Sequence, residues 1–163
     1  MIIIGIDPGT ATTGYGIIRA KNLKRKTRNN FKCLDYGVIK TSSTLAPAER
    51  LKIINNKLGK LITKHQPKVL AVENVFFFKN LKTAMPVSQA KGVILLTAAK
   101  KGIPVCEFSP LQIKMVVTGS GKAEKIQVQK KIKSLFRLKA IPKPDDAADA
   151  LAIALTYVFT RKA

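Results

Sequence analysis

The apolar residues of the amino-terminal third form short runs separated by turn signals, a pattern typical of strands. Ile2–Ile6 is a continuous apolar run, which predicts a strand buried on both faces. Gly14–Ala20 and Phe31–Lys40 predict two further strands. Because the connections are short, we expect these three segments to form an antiparallel meander.

The spacing of the apolar residues then changes to a helical period. Leu51, Ile54 and Leu58 share one face of the segment 47–65, which predicts a helix. A second continuous apolar run, Val69–Val72, predicts a central strand of the sheet.

The rest of the chain alternates between helical and strand patterns. Pro86 is compatible with a helix only in its first turn, so we place the start of the next helix near Thr83 and its end at Lys100. This order predicts an α/β fold in one domain, residues 1–163, with a mixed five-stranded sheet flanked by helices. The remaining elements are predicted as one strand and three helices, over Pro104–Phe108, Pro110–Val117, Ala123–Leu138 and Asp145–Thr160.

The charge balance points to a polyanionic partner. The chain has 30 Lys and Arg against 9 Asp and Glu, a formal net charge of +21, and nucleic acid is the commonest polyanion. A general bias toward lysine is the alternative, but it explains the scarcity of acids poorly. The longest apolar run, Val93–Ala99, is too short to span a bilayer, and Cys33 and Cys106 are expected to be free buried thiols. We expect a soluble, cytoplasmic protein.

Two of the few acids end apolar strands. Asp7 closes the run IIIGID and Glu73 closes VLAVE. If these strands are neighbours, their carboxylates converge at the edge of the sheet where ligand sites form. The alternative for each is an acid that caps the following turn.

A second pair of acids lies at the start of the last predicted helix. Asp146 and Asp149 are three residues apart and share a helical face, and Asp145 and Asp149, four apart, can do the same. The free N–H groups of a helix start favour Asp145 and Asp146 without any site. They do not explain Asp149, which lies a turn further in between residues that face the core.

Carboxylates gathered in one cleft repel each other, and divalent cations relieve that repulsion. A ligand set of oxygen atoms favours Mg²⁺ or Mn²⁺ over zinc, and the sole histidine, His65, ends a helix. Paired ions of this kind support in-line attack on phosphodiesters. A strongly basic protein with such a site is interpreted as a nuclease.

Four segments together resemble the RuvC family of Holliday-junction resolvases: GIDPGTATTGYG, VENVF, SGKAEKIQVQ and DDAADALAIAL. The resemblance covers essentially the whole chain, in order and at similar spacing. It implies a ribonuclease-H-like fold and a homodimer that cuts four-way DNA junctions symmetrically in recombination and repair. It further implies Mg²⁺ as cofactor, with Mn²⁺ as a substitute, 5′-phosphate products, a junction branch-migration complex as partner and a bacterial, nucleoid-associated location.

The resemblance also implies roles for individual residues. Asp7, Glu73, Asp146 and Asp149 match the metal-binding carboxylates, so that Asp145 falls beside the motif. Lys114 and Lys125 match basic residues near the active site, and Phe76 matches an aromatic that contacts bases. Lys91 stands where relatives often have arginine. Lysine keeps the positive charge but lacks the bidentate fork of arginine. The residues expected to contact DNA are Phe76, Phe77, Lys79, Lys91, Lys114, Lys122 and Lys125.

Three other functions compete with this interpretation. An actin-like sugar kinase or chaperone ATPase starts with a similar strand and turn but needs a duplicated, far longer chain. A DNA-binding module with structural acids explains the charge equally well. A different ribonuclease-H-like nuclease, acting on hybrids or other branched DNA, is the nearest alternative.

Overall fold

The computed structural model describes residues 1–21, 30–74 and 81–161, and it leaves the side chains of residues 81–83 undescribed. The described part of the chain forms five strands and five helices in the predicted order. They are β1 Ile2–Asp7, β2 Thr12–Ala20, β3 Phe31–Lys40, α1 Pro47–His65, β4 Val69–Glu73, α2 Leu81–Lys100, β5 Val105–Phe108, α3 Pro110–Thr118, α4 Lys125–Phe136 and α5 Asp145–Thr160.

The strands form one sheet in the order β3-β2-β1-β4-β5. β1 pairs antiparallel with β2 and parallel with β4, and β4 pairs parallel with β5. The expected meander and mixed five-stranded sheet are therefore confirmed. In the parallel register Ile6 pairs with Val72, so the next residues, Asp7 and Glu73, end neighbouring strands at the same edge.

The sheet is covered on both faces, which explains why β1 and β4 are continuously apolar. Ile3 belongs to a core formed with α4 and α5, whereas the next residue, Ile4, belongs to a core formed with α1 and α2. Both side chains are fully buried. A strand buried on both faces needs apolar residues at every position rather than at alternate ones.

α5 lies directly on β1 and β2, with almost no side-chain layer between the backbones. A Cβ atom at Gly5 would overlap the carbonyl oxygen of Ala150, and one at Gly14 would overlap the carbonyl oxygen of Asp146. The helix contributes small buried side chains to this contact, including Ala147 and Ala154. Glycine is required at these strand positions because the helix backbone occupies the space of a side chain.

The start of α2 differs from the prediction. The helix begins at Leu81, so Pro86 is its sixth residue and lies in the second turn rather than the first. Proline there removes a hydrogen bond within the helix, but Ile94 and Ala98 further along are fully buried in the α1–α2 core. Tertiary packing of this kind, rather than local propensity, supplies most helix stability.

The structure also bears on the two cysteines and on the possibility of a membrane span. Cys33 and Cys106 are free, as predicted, but each is only partly buried. Among the residues that the structure describes, no helix has the length and apolar character needed to cross a membrane.

The close contact of α5 with β1 makes a prediction for Gly5→Ala. The added methyl group must push the helix away from the strand, and overpacking of this kind costs about 1–3 kcal/mol. We expect the free energy of unfolding, measured by urea denaturation, to fall by at least about 1 kcal/mol.

Gly59→Ala is the matched control. Gly59 lies in α1, and apart from its own helix backbone and chain neighbours no atom lies within 4 Å of a Cβ placed there. Helix propensity alone should then stabilise the protein by up to about 1 kcal/mol. Equal stability of the Gly5→Ala and wild-type proteins would contradict the close packing of α5 on β1.

Candidate functional site

Three elements bring the acids together at one edge of the sheet. Asp7 and Glu73 end the parallel neighbours β1 and β4, and Asp7 also pairs with Gly14 of β2. The backbone of Asp146, at the start of α5, lies against Gly14. The helix therefore begins over the strand next to Asp7, and one turn later it carries Asp149.

The pKa of Asp7 is raised well above its usual range. Burial is the largest cause, and the negative charges of Glu73, Asp149 and Asp146 raise it further, in that order. The positive charge of Lys125 acts in the opposite direction. Because these groups act on Asp7 through space, all four carboxylates predicted for the site belong to one electrostatic cluster.

Glu73 and Asp149 show the same behaviour. Burial and the charge of Asp149 raise the pKa of Glu73 to about 7, although Lys125 and Lys114 lower it in part. Burial also raises the pKa of Asp149, against the opposing hydrogen bond and charge of Lys125. The free protein therefore holds these carboxylates in a place that disfavours their ionised form.

Two lysines face the carboxylates. The Nζ atom of Lys125 lies 3.1 Å from Oδ2 of Asp149, and this contact raises the pKa of Lys125 although burial alone would lower it. Lys114 and Lys125 line a cavity of about 230 Å³ together with Glu73 and Asp149. The structure thus brings both lysines predicted for the site to the carboxylates.

Asp145 lies at the margin of the cluster, and its charge also raises the pKa of Asp149. The Asp145 carboxylate accepts a hydrogen bond from Lys143 Nζ at 3.3 Å, which lowers its pKa, and it lies 3.8 Å from Lys125 Nζ. Asp146, rather than Asp145, is among the charges that raise the pKa of Asp7.

The donor set suits a hard cation, although the carboxylates are spread more widely than a bound ion requires. All four predicted ligands offer oxygen atoms, which Mg²⁺ and Mn²⁺ prefer. Among the described residues, no group of three or more His, Cys, Asp or Glu side chains is close enough to hold an ion as it stands. Burial, and then the neighbouring like charges, raise the pKa values of Asp7 and Glu73, and a cation bound at this edge would favour their ionised form.

The other residues predicted to contact DNA lie in different places. Phe76, Phe77 and Lys79 lie outside the described residues. Lys122 is exposed in the connection between α3 and α4, where it lines a separate cavity with Ser120 and Lys131.

Lys91 is engaged within the protein. Its Nζ atom donates to Oδ1 of Asn74 at 2.6 Å and to Oε2 of Glu107 at 2.5 Å. Asn74 was not among the predicted site residues, although it follows Glu73 directly in the segment VENVF. The available signal was Glu107, an acid within the apolar strand VCEF, which could be expected to pair with a lysine.

Comparisons with known proteins agree with the geometry. The sequence profile of the crossover junction endodeoxyribonuclease RuvC family matches residues 3–157. A curated crossover junction endodeoxyribonuclease RuvC from Caldicellulosiruptor saccharolyticus is 48% identical over 160 residues, which cover 98% of this chain and 93% of the relative.

Solved structures give the same result. The structure of Thermus thermophilus RuvC in complex with Holliday junction substrate superposes with a TM-score of 0.89 at 34% identity, over 98% of this chain and 93% of that chain. The yeast mitochondrial Holliday junction resolvase Ydc2 shares the fold. It is 14% identical and has a TM-score of 0.65, over 96% of this chain and 78% of that chain. The expected ribonuclease-H-like α/β fold is confirmed, and the chain belongs to the crossover junction endodeoxyribonuclease RuvC family.

Proposed function

We propose that this protein resolves four-way DNA junctions by symmetric hydrolysis of two phosphodiester bonds, with Mg²⁺ or Mn²⁺ as cofactor and 5′-phosphate ends as products. One observation carries the proposal: Asp7, Glu73, Asp146 and Asp149, distant along a chain with only 9 acids, act on each other at one edge of the sheet. A DNA-binding module without catalysis has no need for this unfavourable arrangement.

The four carboxylates would hold the divalent cation. A bound cation supplies charge stabilisation at the phosphate oxygens and makes water more acidic. The chain's own contribution is to orient the carboxylates on three packed elements and to limit the access of water, since Asp7 and Glu73 are both partly buried.

Lys114 and Lys125 would steady negative charge on the scissile phosphate. Lys125 has the better position, because its side chain is 57% exposed while its ammonium group stays 3.1 Å from Asp149. A cation fixed in this way costs little reorganisation when charge develops during the reaction.

The remaining DNA contacts are proposals from the sequence pattern. Phe76 and Phe77 offer rings for stacking on unpaired bases, and Lys79 and Lys122 offer charges for phosphates. We also propose that residues 1–163 act as a single nuclease domain, in the bacterial cytoplasm near the nucleoid and alongside a branch-migration complex.

Two coordinated cuts require two active sites, and we propose a homodimer formed through α2. Small residues such as Ala90 and Gly92 favour close contact between helices, but Ala90 is fully buried in the protein's own core. The exposed stripe is instead Met85, Gln89, Gly92 and Leu96, which have the spacing i, i+4, i+7, i+11 of one helical face. Met85 is 69% and Leu96 52% exposed.

Asp7→Asn tests the assignment of the site. We expect it to lower the single-turnover cleavage rate of a synthetic junction by roughly 100-fold or more, equivalent to about 2.7 kcal/mol. Junction binding should remain, because it depends mainly on contacts between basic groups and phosphates.

Asp145→Asn is the matched control and should still cut. Duplex and RNA–DNA hybrid substrates, each with and without Mg²⁺, separate a junction enzyme from other nucleases of this fold. Unchanged cleavage by Asp7→Asn would refute the site. Absence of metal-dependent cleavage by the wild-type protein would leave a junction-binding module.

The burial of the carboxylates and their mutual repulsion predict how stability depends on pH. The folded-state pKa values of Asp7 and Glu73 lie above the unfolded values, that of Glu73 at about 7. Their contribution to stability is therefore complete at pH values below about 4 and is lost as the pH rises through the folded values. In the presence of chelator, we expect Tm to fall between about pH 5 and pH 8 on account of these groups.

Mg²⁺ should restore the lost stability at the upper end of this range. Asp7→Asn removes both a buried charge and its repulsion, so it should raise Tm in chelator at about pH 8 by about 2–4 °C for each kcal/mol recovered. It should also reduce the response to Mg²⁺. Thermal unfolding followed by circular dichroism measures both effects. A lower Tm of Asp7→Asn at that pH would count against a strained carboxylate cluster.

Leu96→Glu tests the dimer. A charge buried in an apolar contact is strongly unfavourable, so we expect size-exclusion chromatography with light scattering to show a shift from dimer to monomer. Leu111→Glu, at an α3 leucine that is 62% exposed, is the control and should remain dimeric. A wild-type monomer, or a dimeric Leu96→Glu variant, would exclude the α2 interface.

A further inference from the structure

Lys91 occupies a position that its sequence neighbourhood does not reveal. It lies midway along α2, and its ammonium group reaches two residues at the edge of the sheet, Asn74 and Glu107. Only 14% of its side chain is exposed, compared with 57% for Lys125. A phosphate could reach Lys91 only by displacing the carboxylate that already pairs with it.

The two partners of Lys91 lie on the segments that position Glu73 in the candidate site. Glu107 lies on β5 and pairs in register with Val72, the residue before Glu73. Asn74 directly follows Glu73, and its backbone N–H donates to the carbonyl oxygen of Phe108 at 2.8 Å. The end of β4 is therefore held through the backbone by β5 and through the Asn74 side chain by α2.

We propose that Lys91 is a positioning residue: its ammonium group, held between Glu107 and Asn74, fixes the end of β4 and so the Glu73 carboxylate. It acts through these neighbours rather than by binding DNA. The proposal rests on the proposed function only in so far as Glu73 belongs to the metal-binding and cleavage site.

The chemistry of the contacts supports this role. A lysine has three donors and no acceptor, and two of them are used on acceptors from two different segments, the end of β4 and β5. Both contacts are charge-assisted, which makes them stronger than hydrogen bonds between neutral groups. Lys91 is mostly enclosed, although Glu107 is 39% exposed. Arginine can bridge the same two acceptors, because its guanidinium carries five donors.

Lys91→Met tests the proposal, since it keeps the length of the side chain and removes the donors. We expect the affinity for Mn²⁺ alone, measured by calorimetric titration of the free protein, to fall by about 10–100-fold, the usual effect of losing a residue that orients a metal ligand. The single-turnover cleavage rate at saturating protein should fall by about the same factor. The Kd for a junction in Ca²⁺, and its salt dependence, should remain those of the wild-type protein.

Three further variants make the test specific. Lys100→Met, at the exposed far end of the same helix, should change neither Mn²⁺ affinity nor cleavage rate. Lys91→Arg should restore both properties. Glu107→Gln should lower both without strengthening junction binding, although it frees Lys91 from its anionic partner.

A phosphate-binding Lys91 gives the opposite results. Lys91→Met would then reduce the slope of log K against log salt by about 0.9 and leave Mn²⁺ affinity unchanged, and Glu107→Gln would tighten DNA binding. Either result overturns the proposal. If the wild-type protein binds Mn²⁺ but cuts no junction, the proposed function fails, while the Mn²⁺ titrations of the four variants still decide the role of Lys91.

Discussion

α5 packs backbone to backbone against the central strands, and the position of the acidic site follows from this contact. At Gly5 and Gly14 the helix backbone occupies the space that a side chain would need. The contact sets the height and the rotation of α5 over the sheet. Because Asp146 and Asp149 lie in its first two turns, it also determines how close they come to the strand that ends at Asp7.

The convergence of the acids is electrostatically unfavourable. Asp7 and Glu73 lie at the end of a sheet that is apolar on both faces, where burial disfavours charge and neighbouring carboxylates add to the effect. Lys125 and Lys114 offset part of the repulsion, and a divalent cation can offset the rest. The two apolar cores on either side of the sheet supply the stability that this edge gives up.

Two lysines of this chain illustrate how environment separates identical side chains. Lys125 faces the carboxylate cluster from α4 and remains more than half exposed, so a phosphate can approach it. Lys91 is nearly enclosed and is already paired with Glu107. Charge counting along the chain treats the two alike, although one side chain is more than half exposed and the other is mostly enclosed.

Local patterns in the sequence were enough to predict the order of the elements, the mixed sheet and the acids worth considering. These features follow from apolar periodicity and from the rarity of charge at the ends of apolar strands, both of which are visible without coordinates. The errors and omissions share a physical cause. Pro86 is tolerated in the second turn because packing outweighs a lost hydrogen bond, and Lys91 pairs with Asn74 and Glu107 because folding joins residues 16 or 17 positions away. Burial, pairing and the closeness of α5 to the sheet arise from long-range contacts, so they become visible only in the folded chain.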